Sequence, residues 1–414
     1  MKRRIWIVNY YTSSNPGNPR YIEFADNFKA EGYDVLIFNS SVSEGVEVSS
    51  GNFLEKEYSG RKFIHVKSPN YVGNGLKRIL SIFLFAWRLF IGCKRFPQPD
   101  IILLNVHTPF DYPVVWMAKR LKVPFIAEAW DLWPEFFASF GLISKNNPAM
   151  KFAYWLEKRL YMQAKQVVFT FEGGLDYLRK KKWTSDLGGP IDISKVNYIN
   201  SGVNVEEFDK NIALYPRPDE DLKNSDYYKI IYLGSIRLVN NVKTLIDAAA
   251  ILKSNPKYRF FIYGDGNDRE YLEQYIFENQ IDNVVFKEKR IPLCEVAWVV
   301  SQATVNIMNY EKGFGEYGVS SGKMFQYFAA GRPICCNISL NYSEISRRNL
   351  GIDRDLDTPE QYAEAIRSLA ELPVDEYNEM CCRVRSAAMD FDYKVLSKQE
   401  LSVINQCIKT ATYV

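Results

Sequence analysis

Short apolar runs alternate with amphipathic stretches along nearly the whole chain. Residues 5–10, 35–38, 63–66, 101–105, 125–129 and 167–171 form strand-length apolar runs, the pattern of strands covered on both faces. Between them, residues 21–31, 113–121 and 149–164 carry helical spacing. Strand–helix alternation of this kind predicts a parallel α/β sheet with right-handed crossovers.

The rhythm breaks at 204–228, "NVEEFDKNIALYPRPDEDLKNSDYY", which is polar, holds two prolines and reads as a linker. The alternation then restarts. "KIIYLGS", "RFFIYGDG", "NVVF", "ATVNIM" and "RPICCN" predict strands, with helices at 241–252, up to 279, and at 323–330. From residue 358 the tail reads as helical. The expectation is two doubly wound, Rossmann-like domains, 1–215 and 216–391, followed by a helical segment 392–414. Ligands in open α/β sheets sit beyond the C-terminal strand ends, so the predicted site is a cleft facing those edges.

Composition narrows this picture. A chain of 414 residues is too long for one ordinary core. With 24% charged residues and net charge +3 it is globular and carries no general attraction for nucleic acid. Seven cysteines, two pairs of them adjacent in sequence, and only two histidines point to reduced thiols rather than disulfides or a zinc site. The apolar run near the start is shorter than the ~7–15 residues of a secretory signal. None approaches the ~18 apolar residues expected of a spanning helix. A cytoplasmic protein is expected.

Three strand-to-helix corners in the second half carry candidate chemistry. In "YLGSIRLVNN", Gly234 and Ser235 let backbone approach a ligand, with Arg237 and Lys243 nearby to supply charge. "IYGDGND" repeats the arrangement at Gly264 and Gly266. In "EYGVSSGKMFQYFAAGRPI", Ser320, Ser321 and Gly322 precede Lys323 at a helix start, where a cation opposes the helix dipole unless an anion offsets it. Phosphate would offset it, and Gln326, one turn on, would reach a sugar hydroxyl. A plain capped corner with an exposed lysine is the alternative.

The ordered series "YLGS", "IYGDG" and "YGVSSGKMFQYFAAGRPI" resembles the donor-binding half of retaining glycosyltransferase family 4, with its GT-B fold. "EAWDLWPE" at 128–135 is similar to a segment of its bacterial surface-polysaccharide branch, "YINSGVNVEEF" at 198–208 resembles the family's hinge motif, and "YVGNGLKRI" at 71–79 also fits. The resemblance implies a nucleotide-sugar donor, expected to be UDP-linked, and a saccharide acceptor on a lipid carrier, with no metal or other cofactor. It implies Gly234 and Ser235 at the diphosphate, Arg237 and Lys323 stabilising the leaving group, base recognition near Arg290, and a final helix 392–414 that returns to the first domain. Many relatives carry a Glu, seven residues and a second Glu before the Ala-Ala-Gly; here Gly318 and Gln326 stand at those places.

On the acceptor side the loop after the first strand, Gly17 to Arg20, is expected to line the cleft, with His107 and Glu128. Asp131 falls where relatives hold a residue touching the donor sugar; the alternative is an N-cap. "DFD" at 390–392 resembles a metal motif of another glycosyltransferase fold but lies in the helical tail, and is discounted. Rival readings are a nucleotide-sugar binding or scaffold protein without turnover, favoured by Gln326, and a GT-B sugar-nucleotide epimerase. A dinucleotide dehydrogenase fits worse, since "YLGSIRL" lacks G-x-G-x-x-G.

Residues 75–96, "GLKRILSIFLFAWRLFIGCKRF", combine basic and large apolar side chains, and "LRKKKW" at 178–183 adds charge. Such a helix suits an anionic membrane surface, hence a peripheral place on the inner face of the cell membrane. A core helix with basic residues toward water is the alternative.

Overall fold

The computed structural model describes residues 2–411 except 16, 74, 108, 140, 142 and 314, and leaves aside the side chains of 410 and 411. The chain divides into two compact units, Met1–Asn200 with Tyr393–Val414, and Ser201–Asp392.

The first unit holds an eight-stranded sheet: β1 (Arg4–Val8), β2 (Asp34–Ser40), β3 (Phe53–Tyr58), β4 (Arg61–Val66), β5 (Ile101–Asn105), β6 (Phe125–Ala129), β7 (Gln166–Phe169) and β8 (Val196–Tyr198). Their spatial order is β3-β4-β2-β1-β5-β6-β7-β8. Every pairing is parallel except β3 with β4. The sequence reading missed β3 because "FLEKEY" lies at the sheet edge and keeps its Glu and Lys in solvent. A tight hairpin through Ser59 and Gly60, both at positive φ, joins it to β4.

The order reverses between β1 and β5, so the loops after these strands flank the switch point where ligands bind in open sheets. Ile5, Ile7 and Leu103 pack with Phe24 and Phe28 of the helix Arg20–Ala30 and with Leu396 and Ile404 of the final helix, Tyr393–Ala411. The last segment thus completes the core of the first unit.

The second unit has six parallel strands: β9 (Tyr228–Leu233), β10 (Tyr258–Tyr263), β11 (Val284–Phe286), β12 (Val305–Met308), β13 (Ile334–Cys336) and β14 (Gly351–Asp353), ordered β11-β10-β9-β12-β13-β14. Its switch point lies between β9 and β12. The stretch read as a linker folds instead. Asn204 caps the helix Val205–Leu214, whose Val205 and Phe208 are buried in this unit's core, and Asp219 caps Glu220–Lys223. The division therefore falls after Asn200 rather than after 215, because these apolar side chains belong to the second core.

Val203 N–H donates to Phe391 O at 3.0 Å and Val205 N–H to the Asp392 carboxylate at 3.1 Å, tying the start of the unit to its end. Asp390 pairs with Arg348 at 2.5 Å. Both acids of "DFD" thus have structural partners. The seven cysteines are free thiols; Cys382 is exposed and four are buried.

Candidate functional site

Two turns at the C-terminal ends of β9 and β10 are built as one piece. Gly234 N–H donates to Tyr263 O at 3.0 Å and Ile236 N–H to Asp265 O at 2.9 Å. The backbones lie so close that a Cβ on Gly264 would stand 1.7 Å from Gly234 O, and one on Gly266 2.0 Å from Ile236 O. Gly264, at φ +136°, is required by this packing as well as by any ligand. Tyr232 donates its hydroxyl to Ser235 O at 2.7 Å, and Ser235 Oγ bonds Asn240 Oδ1 at 2.7 Å. These contacts hold the Gly234–Ser235 turn open over a cavity of about 650 Å³. Ser235, Arg237, Gly266, Glu288, Arg290 and Ile291 contribute to its lining.

The helix Gly322–Ala330 starts beside that cavity, with Ser321 at its N-cap making no side-chain cap bond. Lys323 stands in its first turn, half-buried. Its ammonium lies 4.6 Å from the centroid of the Tyr232 ring and 5.1 Å from that of Tyr310. It is also 3.3 Å from where a Gly234 Cβ would be. No hydrogen bond or ion pair to another described residue engages it. Burial pulls its pKa down to about 8, against a weaker upward pull from Cys336. A cation left without a counter-ion, at a helix start, over a glycine turn, is a site for an anion.

Other predicted donor residues fall at this corner in part. Arg237 and Arg290 are exposed on the cavity wall. Ser320 Oγ accepts from Ser201 N–H at 3.4 Å, so part of its bonding capacity is used inside the unit. Gln326 follows on the Lys323 side of the helix, half-buried. Lys243 is a correction. It pairs with Asp247 at 2.8 Å, lies over the Tyr275 ring at 4.3 Å and does not line the cavity. Its charge is already neutralised.

In the first unit the expected acceptor residues separate. Gly17 is exposed in the loop after β1. Arg20 and Glu128 are corrections: both side chains are fully buried, and Arg20 Nε donates to Glu128 Oε1 at 2.5 Å. Arg20 also donates to Asn200 O and lies 3.7 Å from Glu400. They form an internal charge cluster in which Arg20, at the start of the helix Arg20–Ala30, meets Glu128 of β6 and Glu400 of the final helix.

His107 and Asp131 come together at the ends of β5 and β6. His107 is buried; its backbone N–H donates to the Asp111 carboxylate and its ring meets Tyr11 at 5.1 Å and Trp133 at 6.3 Å. Asp131 reaches solvent yet is surrounded by protein atoms. That crowding raises its carboxyl pKa, against downward pulls from His107 and Arg78. Among the described residues its side chain caps no helix.

Arg78 donates to the Tyr11 hydroxyl at 2.9 and 2.7 Å. Tyr11, Arg78, Trp133, Tyr232 and Tyr310 escaped the sequence reading as site residues. The one available signal was position, since Tyr11 and Tyr310 each stand two or three residues past a strand end.

Comparison with known families matches both halves. The model of Glycosyltransferase Family 4 covers residues 20–207, and that of Glycosyl transferases group 1 covers residues 217–385. The chain belongs to glycosyltransferase family 4. It is a nucleotide-sugar-dependent glycosyltransferase with the GT-B arrangement of two parallel-sheet units.

Solved structures agree with the fold over almost the full length. A glycosyltransferase from Rickettsia africae is 16% identical with a TM-score of 0.65, each chain covered to 99%. HepE from Anabaena, solved with UDP-glucose, is 12% identical with a TM-score of 0.64, covering 97% of this enzyme and 99% of HepE. WaaG, a glycosyltransferase involved in lipopolysaccharide biosynthesis, is 14% identical with a TM-score of 0.68, covering 97% and 99%. No curated protein matches this enzyme's sequence.

Proposed function

We propose that the enzyme moves a sugar from a UDP-sugar to a lipid-linked saccharide acceptor in cell-surface polysaccharide assembly, with retention at the anomeric carbon. The observation that carries the donor half is the Lys323 ammonium, without a counter-ion beside the Gly234 turn. HepE, of the same fold, was solved with UDP-glucose, and WaaG serves lipopolysaccharide biosynthesis, which support the donor base and the acceptor class.

As the glycosidic bond to the donor breaks, negative charge grows on the diphosphate and the sugar becomes oxocarbenium-like. Lys323, Arg237 and the amides of the Gly234 turn would stabilise that charge where it develops. Arg290 and Ile291 would border the base, and Gln326 a ribose or sugar hydroxyl. Retention places acceptor attack on the face the leaving group vacates, where a diphosphate oxygen takes the acceptor proton. Asp131, held partly out of bulk water near His107, would contact the sugar near the reacting carbon. This reading calls for no metal, and a chelator should leave turnover unchanged.

A panel of nucleotide sugars tests it by thermal shift and then by release of nucleoside diphosphate. A UDP-sugar should raise the melting temperature and turn over only with a lipid-linked saccharide present. A shift without turnover in a single-enzyme-equivalent experiment would favour the binding-protein reading, for which the neutral Gln326 speaks. Release without acceptor, with the sugar epimerised, would favour an epimerase.

A further inference from the structure

Three helices of the first unit lie side by side and turn large apolar side chains outward: Leu76–Gly92, Tyr112–Leu121 and Pro148–Gln163. Leu80 is 51% exposed, Trp116 44%, Phe152 59% and Trp155 49%. The rings make a continuous strip. Phe83 stacks on Trp87 at 6.2 Å, Trp87 meets Phe90 at 5.6 Å, Phe90 meets Trp116 at 6.2 Å, and Trp116 meets Tyr112 at 6.3 Å. Tyr112 donates its hydroxyl to Leu156 O at 2.9 Å, joining the third helix, where Phe152 stacks on Trp155 at 5.8 Å.

Charge on this face has one sign. Lys77, Lys119, Arg120, Lys151 and Arg159 are exposed among the rings, and Arg120 and Arg159 lie over Phe90 and Trp155 at 5.5 and 5.2 Å. The first two helices contain no acidic residue and the third has one, Glu157, fully buried and bonded to the Tyr177 hydroxyl at 2.7 Å. Asp111 and Glu135, beside these helices, are buried as well, while the exposed Asp131 stands near Arg78 at the start of the first helix.

We infer that this three-helix face docks on an anionic lipid bilayer, with the aromatic strip at the headgroup level and the lysines and arginines against lipid phosphates. Aromatic rings mixed with basic side chains are the composition of the membrane–water interface, whereas a self-associating face this basic would repel its own copy. Among the described residues no helix is long and apolar enough to cross a membrane, so the enzyme would lie on the bilayer through this face. The sequence singled out only the first of these helices; the other two extend the face beyond it. The inference goes beyond the proposed reaction and does not need the lipid-linked acceptor.

The test sediments the full chain with phosphatidylglycerol-containing vesicles and with phosphatidylcholine vesicles. Binding to the anionic vesicles alone is expected, and it should weaken in high salt, where the Debye length falls from about 10 Å at 0.1 M to about 3 Å at 1 M. Lys119→Gln with Arg120→Gln should lower partitioning about fivefold per charge removed. Trp87→Ser with Trp116→Ser should lower it too and reduce tryptophan quenching by brominated lipid to what Trp155 contributes. If that variant does not fold, the charge variant decides alone. Equal binding to both vesicle types, unchanged partitioning of the charge variant, or a dimer that Trp116→Ser dissolves without vesicle binding would each overturn the inference. Vesicle binding without turnover of lipid-linked acceptors would leave it standing and remove the proposed acceptor instead.

Discussion

The Lys323 ammonium sits over the ring of Tyr232, 4.6 Å from its centroid, and Tyr232 in turn holds Ser235 O through its hydroxyl at 2.7 Å. One tyrosine thus supports both the cation and the glycine turn. The ring face attracts the ammonium without neutralising it, so the charge stays available to a ligand.

Lys323→Met should therefore reduce kcat by about 10²–10³-fold, the effect of removing one group aimed at developing charge, and abolish the thermal shift from the donor. The pH dependence has a definite sign. In the free enzyme Lys323 loses its proton near pH 8, while a bound diphosphate favours the charged form. Donor affinity should fall as pH rises through about 8, and titration calorimetry should record proton uptake on binding above that value. Affinity that stays flat to pH 9.5 would take Lys323 out of the site.

Arg237 and Lys243 stand near the same turn but should behave differently. Arg237→Ala, on the cavity wall, should weaken donor binding about tenfold, the scale of one charge-assisted hydrogen bond. Lys243→Ala should change it little, since Lys243 is already paired with Asp247 at 2.8 Å. Equal effects in a binding titration would contradict the geometry.

Gly264→Ala would set a methyl 1.7 Å from Gly234 O, against backbone rather than a yielding side chain. It should cost about 1–3 kcal/mol of stability in urea unfolding and displace the Gly234 turn, lowering donor affinity as well. Gly17→Ala, with no atom within 4 Å of the added carbon, is the comparison and should be neutral for stability.

The buried cluster of Arg20, Glu128 and Glu400 has a pH signature. Burial, reinforced by Glu128, raises the Glu400 carboxyl to about 8, against an ordinary 4.5, with Arg20 pulling the other way. The folded chain then binds a proton the unfolded chain releases, so stability should decline as pH rises from about 4.5 toward 8. Glu400→Gln should flatten that decline when melting temperature is followed against pH. Arg20→Met would leave carboxylates buried without their cation and should cost about 3–5 kcal/mol.

The doubly wound class and the Ser-Ser-Gly-Lys corner were legible in the chain. Each is written in local periodicity or in residue types at a strand end, and buried parallel strands leave a continuous apolar run that needs no partner to be seen. Lys243 was readable too, for Asp247 stands one helical turn away, though its spacing from the glycine turn suggested phosphate. The edge strand β3 was not, since a solvent-facing edge is selected for charge rather than apolarity.

Only the tertiary structure decided which charges are free. Arg20 meets Glu128 and Glu400, and Lys323 meets two tyrosine rings and no acid, through packing between elements far apart in sequence. Periodicity fixes which face of an element is buried. Whether a charge finds a partner there depends on distances that only the packed fold sets.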